Sequence, residues 1–174
     1  ELENISDQTS LLAVQGPKSS KVLEILTEMN ISNMRSYTFQ KGNFAGKKNV
    51  LISSTGYTGT RGFEIYFKNE DAEVIWNAIF EAGKQYNILP IGLAARDTLR
   101  LEMGYCLYGN DINESTSPLE AGLGWITKLT NNFVGSDFLK KQMQIGINRR
   151  LVGFEFLDRG VPRQGYDVIN IQGN

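Results

Sequence analysis

GYTGTRGFEIYFKNEDAEVIWNAIF, residues 56–80, decides the fold. Its middle, FEIYF, alternates: Phe63, Ile65 and Phe67 point to one side and Glu64 and Tyr66 to the other. Period-two alternation over such a run is a strand with one buried face. Asn69 then reads as an N-cap, with Glu70 and Asp71 suited to the positive end of a helix dipole. Ala72, Ile75, Trp76 and Ile79 recur at helical spacing, and the pattern fades at Gly83. The stretch is therefore a glycine-rich turn, a strand and a helix, in that order.

Upstream, TSLLAVQ (9–15) reads as a strand, and Gly16-Pro17 opens a helix with Val22, Leu23, Leu26 and Met29 on its apolar face. Residues 35–40 and the run KKNVLISS around Val50 read as two more strands. Downstream, Pro90 marks a new start and GLAARDTLRLE (92–102) reads as a helix, with Leu93, Arg96, Leu99 and Arg100 on one mixed side. Residues 104–118 are loop-like. LGWITKL reads as a strand, GSDFLKKQMQ as a short helix capped by Ser136, and RRLVGFEFLD and YDVINI as strands. The order predicts an α+β fold, mainly antiparallel sheets with packed helices, followed by the start of a C-terminal β domain. The change from helices to strands alone places a domain boundary near residue 148, dividing the chain into 1–147 and 148–174. The closing Gly-Asn turn signal has no second strand after it, so the sequence reads as a piece of a longer chain.

Composition narrows the chemistry. The 174 residues include one Cys and no His. That removes an internal disulfide, Ser-His-Asp and Cys-His catalysis, and histidine- or cysteine-rich metal sites. A net charge of -1 speaks against a nucleic-acid surface. No stretch has the apolar length of a membrane-spanning helix, and the first residues lack the apolar core of a signal peptide. Acid–base work must fall to carboxylates, Tyr, Lys or a bound molecule.

Several motifs are excluded by spacing. Gly56, Gly59 and Gly62 form G-x-x-G-x-x-G followed by a strand, whereas the dinucleotide fingerprint is G-x-G-x-x-G followed by a helix. Asp111-x-Asn113-x-Ser115 opens like a calcium loop, but Thr116 and Gly122 stand where that loop needs Gly and Glu. Three residues remain as candidates. Glu64, mid-strand among large apolar neighbours, either faces water or binds something polar. Arg96 and Arg100, one turn apart beside apolar positions, either form surface ion pairs with Asp97 and Glu102 or offer a forked donor to a ligand, Arg96 being the candidate. Tyr105, which with Tyr108 flanks Cys106, either packs or walls a flat ligand. Together Glu64, Arg96 and the tyrosines would suit a pterin-like ring, whose amidine edge matches a carboxylate and whose face matches an aromatic.

GYTGTRGFEI (56–65), IGLAARDTLRLEMGYCLYGNDIN (91–113) and SPLEAGLGW (117–125) resemble the aminomethyltransferase family, the T-protein of the glycine cleavage system. NISDQTSLLAVQGPKS (4–19) and NNFVGSDFLKKQ (131–142) are similar to it in the same order, so the resemblance covers nearly the whole chain. It implies a fold of two α+β pieces and a C-terminal β-barrel-like domain around a folate pocket. It implies tetrahydrofolate as substrate, no metal, and lipoylated H-protein as partner. It implies transfer of the methylene of the aminomethyl-lipoyl group to tetrahydrofolate with release of ammonia, a step of glycine catabolism and one-carbon metabolism. Carried over by motif, Glu64 would bind the pterin while Arg96 and Tyr105 line the folate site. The catalytic Asp is expected upstream of Glu1, so this chain alone is expected to be inactive. A bacterial member would be cytoplasmic and a eukaryotic one mitochondrial. Thr60-Arg61 departs from the acidic pair usual after GYTG, turning a negative turn positive. The alternatives are a related tetrahydrofolate-dependent demethylase and a folate-binding accessory module without transferase chemistry.

Overall fold

Four runs of alternating side chains pair into one antiparallel sheet in the computed structural model, which describes residues 2–173. The strands are β1 (Thr9–Gln15), β2 (Phe39–Phe44), β3 (Lys47–Ser53) and β4 (Gly62–Lys68), in the order β1-β4-β3-β2. β4 is central, and every pairing is antiparallel. The chain falls into two compact units, residues 1–106 and 107–174. The boundary expected at 147/148 lies inside the second.

Register assigns the faces of the sheet. Leu12, Ile52 and Ile65 stand in one cross-strand row, and Val14 with Phe63 in the next. These residues form the inner face; Ile52, Phe63 and Ile65 are fully buried. The helix α2 (Ala72–Gly83) closes over that face with Ile75 and Ile79, as its apolar spacing predicts. The helix α1 (Ser19–Leu23) adds Val22 and Leu23. Burying an aliphatic or aromatic side chain of this size is worth about 1.5–3 kcal/mol each, so this layer holds the unit together. A third helix, α3 (Leu93–Glu102), matches the expected GLAARDTLRLE segment.

Local departures from the sequence reading have local causes. The strand expected at 35–40 begins only at Phe39, because Arg35–Thr38 turn, with Thr38 N–H on the Arg35 carbonyl at 3.2 Å. β2 and β3 then form a hairpin through Ala45 and Gly46, both at positive φ (49° and 76°) as a mirror-image turn demands. The first helix ends at Leu23 and tightens into a 3-10 turn over Glu24–Leu26, short of Met29. Asn69 does not cap α2. Its amide donates to the Asp7 carbonyl at 2.8 Å and its oxygen accepts from Ser10 at 2.7 Å, pinning β1 to the end of β4. A 3-10 turn over Asn69–Asp71 separates it from the helix.

The second unit holds the helix α4 (Ser136–Ile145). Gly135, at φ 89°, is its N-cap, and the expected cap Ser136 is its first residue. LGWITKL forms turns, and RRLVGFEFLD and YDVINI are not strands. Among the described residues no strand follows Lys68, beyond an isolated bridge between Tyr108 and Ile112. A strand needs a neighbour for its N–H and C=O groups. None pairs with these segments, and Phe154 and Val168 are exposed.

Candidate functional site

The glycine turn 56–62 is built around Gln15, the last residue of β1. The Gln15 amide nitrogen donates to the carbonyls of Thr55 and Phe63, both at 3.4 Å, and its oxygen accepts from Thr58 Oγ1 at 3.2 Å. A Cβ at Gly56 or Gly62 would overlap the Gln15 amide. Gly59 sits at φ 75°, and a Cβ there would strike the Met103 side chain. The glycine spacing thus serves a stitched turn. Arg61 donates to the carbonyls of Ile31, Ser32 and Met34 at 3.3, 2.8 and 3.0 Å. Its guanidinium also lies 5.5 Å from the Phe63 ring centre. The Arg61 charge of this turn therefore ties it to the 31–34 loop. Between the two loops opens a cleft of about 600 Å³, lined among others by Arg35, Tyr37, Thr55 and Tyr105.

Tyr57 is the hub. The Arg96 guanidinium lies 4.6 Å from the centre of its ring, a cation–π contact. The Tyr105 ring stands 5.9 Å away, tilted by 31°. The Tyr57 hydroxyl donates to the Cys106 carbonyl. Arg96 and Tyr105, two of the residues predicted from sequence, are thus brought together on a third that the sequence reading did not single out. Its signal was its place between the first two glycines of the turn. The Cys106 thiol is half-buried.

Arg100 has a different task from Arg96. It is 3% exposed. Its Nε donates to Asp97 at 2.8 Å and a terminal nitrogen donates to the Tyr105 carbonyl at 3.1 Å. The Tyr105 N–H returns a bond to the Arg100 carbonyl at 2.9 Å. Arg100 therefore fixes the backbone that carries Tyr105; its ion pair with Asp97 has the partner expected from sequence, but the arginine is buried where a surface pair was expected.

Glu64 lies on the outer face of the sheet, away from the helices. Its register partners are Ala13 on β1 and Ser53 on β3. Both are small, so the carboxylate stands between low neighbours. Its Oε2 accepts from the Thr55 hydroxyl, two residues before Tyr57. The next outer row is Leu11, Tyr66 and Leu51, an apolar strip beside the acid. Burial, and secondarily the Glu64 charge, push the Tyr66 phenol above its ordinary value, so Tyr66 is a neutral donor near neutral pH. An ionised carboxylate offers acceptors only, which suits a ligand edge carrying two N–H groups. Among the described residues no group of three or more His, Cys, Asp or Glu is placed to hold a metal. No helix there is long and apolar enough to cross a membrane.

In the second unit, the SPLEAGLGW block is organised by a reciprocal cap. Ser117 N–H donates to Glu120 Oε2 at 2.8 Å, and Glu120 N–H donates to Ser117 Oγ at 3.2 Å. Arg149 Nε reaches Glu120 Oε1 at 3.0 Å, and Leu151 N–H donates to the Glu120 carbonyl at 2.9 Å. The Ser117 N–H bond first, then Arg149, hold the Glu120 carboxyl below its ordinary value.

Fold and site together define an α+β domain in which a glycine turn gathers an arginine and two tyrosines, beside a carboxylate on an open sheet face. The chain belongs to the family described as the GCVT N-terminal domain, whose model matches residues 1–131. It is 62% identical over 174 residues to an aminomethyltransferase of Flavobacterium psychrophilum, covering 100% of this chain and 48% of that protein. It is 57% identical over 175 residues to an aminomethyltransferase of Bacteroides thetaiotaomicron, covering 99% and 48%. The chain thus spans about half the length of the curated relatives it matches. Its fold is similar to the crystal structure of glycine cleavage system aminomethyltransferase T from Bartonella henselae. The TM-score is 0.83 at 31% identity, over 95% of this chain and 45% of that one.

Proposed function

We propose that this chain is the folate-binding part of a tetrahydrofolate-dependent aminomethyltransferase of the glycine cleavage system. The full-length enzyme transfers the methylene of the aminomethyl-lipoyl group on H-protein to tetrahydrofolate and releases ammonia. The observation that carries the reading is the 62% identity, over all 174 residues, to a protein bearing the name aminomethyltransferase. The geometry supports it: Arg96 and Tyr105 converge on Tyr57, and Glu64 stands on an open face with one oxygen held by Thr55.

In this reading the Glu64 carboxylate accepts from the amidine edge of the pterin. The Tyr57–Tyr105 wall packs against the flat ring system and Arg96 supplies positive charge. A ring nitrogen of the folate attacks the methylene carbon of the lipoyl arm and a second folate nitrogen bonds to the same carbon. The C–N bond breaks as ammonia leaves, the C–S bond breaks to free the lipoyl thiol, and the two folate N–H protons go to these two leaving groups. The protein's work is orientation and electrostatic positioning rather than covalent chemistry. The catalytic Asp belongs to the part of the full-length protein outside these residues, and the chain by itself is inactive. Residues 1–147 form the central α+β folate region, and 148–174 open a C-terminal β-barrel-like domain. The setting is the cytoplasm of a bacterium, in keeping with bacterial relatives.

The test is calorimetric titration of the full-length protein with folinic acid, a stable reduced folate. The Glu64→Ala variant, shown folded by circular dichroism, is titrated beside it. Removing a charge-assisted pair should weaken binding by at least about tenfold. Equal affinity in the two proteins would contradict the role given to Glu64.

A further inference from the structure

The structure assigns Thr55 as the positioning residue that aims the Glu64 carboxylate. The inference rests on Glu64 as the pterin-binding acid and goes beyond it, to what holds that acid in place. A glutamate has three side-chain torsions, and Glu64 stands in a row with Ala13 and Ser53, which are too small to pack it into one rotamer. Packing therefore does not aim it; a hydrogen bond must.

The proton count shows how. Thr55 Oγ1 lies within hydrogen-bond reach of Glu64 Oε2, and 3.0 Å from Ser53 Oγ. A hydroxyl carries one proton, and an ionised carboxylate has none to give. The Thr55 proton therefore has two acceptors in reach, Ser53 Oγ and Glu64 Oε2, and the carboxylate is the stronger of the two. The result is a single charge-assisted bond from Thr55 to Glu64. It fixes Oε2 and leaves Oε1 open to the ligand.

The backbone that carries Thr55 is itself held. Ser53 ends β3 as the register partner of Glu64. The carbonyl of Thr55 accepts from the Gln15 amide at 3.4 Å. Ser54 is buried, and its N–H donates to the Thr38 carbonyl at 2.9 Å. Thr55 is thus a short side chain on a tethered segment, whereas Glu64 is a long one on an open face.

A double-mutant cycle on the full-length protein, read as folinic acid affinity by calorimetry, tests this. Thr55→Val keeps the shape and removes the hydroxyl; Thr55→Ser keeps the hydroxyl. Glu64→Gln and the Thr55→Val/Glu64→Gln pair complete the set. Thr55→Val should bind about tenfold more weakly, the scale of one hydrogen bond to a charged group. Thr55→Ser should recover to within about twofold, which a role in packing alone would not produce. In the Glu64→Gln background the Thr55→Val effect should fall to about twofold or less, because the group being aimed is gone. If Glu64→Gln weakens binding while Thr55→Val binds normally, the positioning role is overturned and the Glu64 reading survives. If Thr55→Ser is as weak as Thr55→Val, the hydroxyl is not the cause and the role is likewise overturned. If Glu64→Gln itself binds normally, the acid is not the ligand's partner and both readings fail. Should Thr55→Val not fold, Thr55→Ala takes its place with the same expected loss, and normal binding there overturns the positioning role.

Discussion

Residues 1–106 and residues 107–173 are built by different means. In the first unit, strands far apart in sequence pair and bury an apolar face: β1 meets β4 across some fifty residues. In the second, among the described residues, the bonds are mostly local: a Ser117–Glu120 cap, turns at 118–127 and one ten-residue helix. Yet RRLVGFEFLD alternates about as well as FEIYF does. The difference is the partner. Alternation marks a surface that could be buried; only a neighbouring strand and a covering helix make it a sheet. Phe63 is fully buried, whereas Phe156, similar in local pattern, is 48% exposed.

The sharpest way to break that comparison is to truncate the two phenylalanines. Phe63→Ala should destabilise the first unit by about 3–5 kcal/mol, the usual cost of emptying a core aromatic site. Phe156→Ala should cost about 0.5 kcal/mol or less, as half-exposed substitutions do. Denaturant unfolding of each variant measures both, and equal losses would mean that Phe156 is buried as deeply as Phe63.

A smaller effect is expected from Gly59→Ala. It puts a Cβ at φ 75° and against Met103, so about 1–3 kcal/mol should be lost. The tyrosine–arginine cluster should loosen with it, because Met103 lies in the segment that joins α3 to Tyr105. The fall in melting temperature and the change in tyrosine fluorescence on the variant read the two effects separately.

The second unit should show a pH response of its own. The Glu120 carboxyl is lowered in the folded chain from an ordinary value of 4.5. The folded state therefore binds its proton less readily than the unfolded state. The stability it contributes is present above about 4.5 and is lost as pH falls through the lower folded value. Amide exchange at Ser117 and Leu151 should accelerate over that acid range. Glu120→Gln should remove the acid dependence there, while the β1–β4 amides stay unchanged. A small effect is expected of Arg96→Gln as well. Losing one cation–π contact should cost about 0.5–1 kcal/mol of stability, and calorimetry would show whether folinic acid binding falls with it.

Much of the first unit was legible in the sequence because its signals are local. FEIYF and the spacing of Ile75 and Ile79 state their own periods, and GLAARDTLRLE gives α3 its limits. What was not legible depends on distant pairs. Asn69 has the chemistry of a cap, but Asp7 and Ser10 arrive from β1 and take its amide. The Ala45-Gly46 hairpin was hidden because Ala is a poor advertisement for positive φ. In the site, Arg96 and Tyr105 could be chosen from residue type alone. Tyr57, Thr55 and Gln15 could not, since their roles appear only when the glycine turn folds back on the end of β1. The late strands failed for the opposite reason: their pattern is present and their partner is not among the described residues.

The most direct measurement is turnover by the full-length protein, followed as ammonia released from lipoylated H-protein loaded with the aminomethyl group. The proposed function predicts release that requires tetrahydrofolate and yields methylene-tetrahydrofolate in equal amount. It also predicts no release by residues 1–174 alone. Turnover of sarcosine or dimethylglycine by the full-length protein, with none from loaded H-protein, would contradict it and make the protein a folate-dependent demethylase.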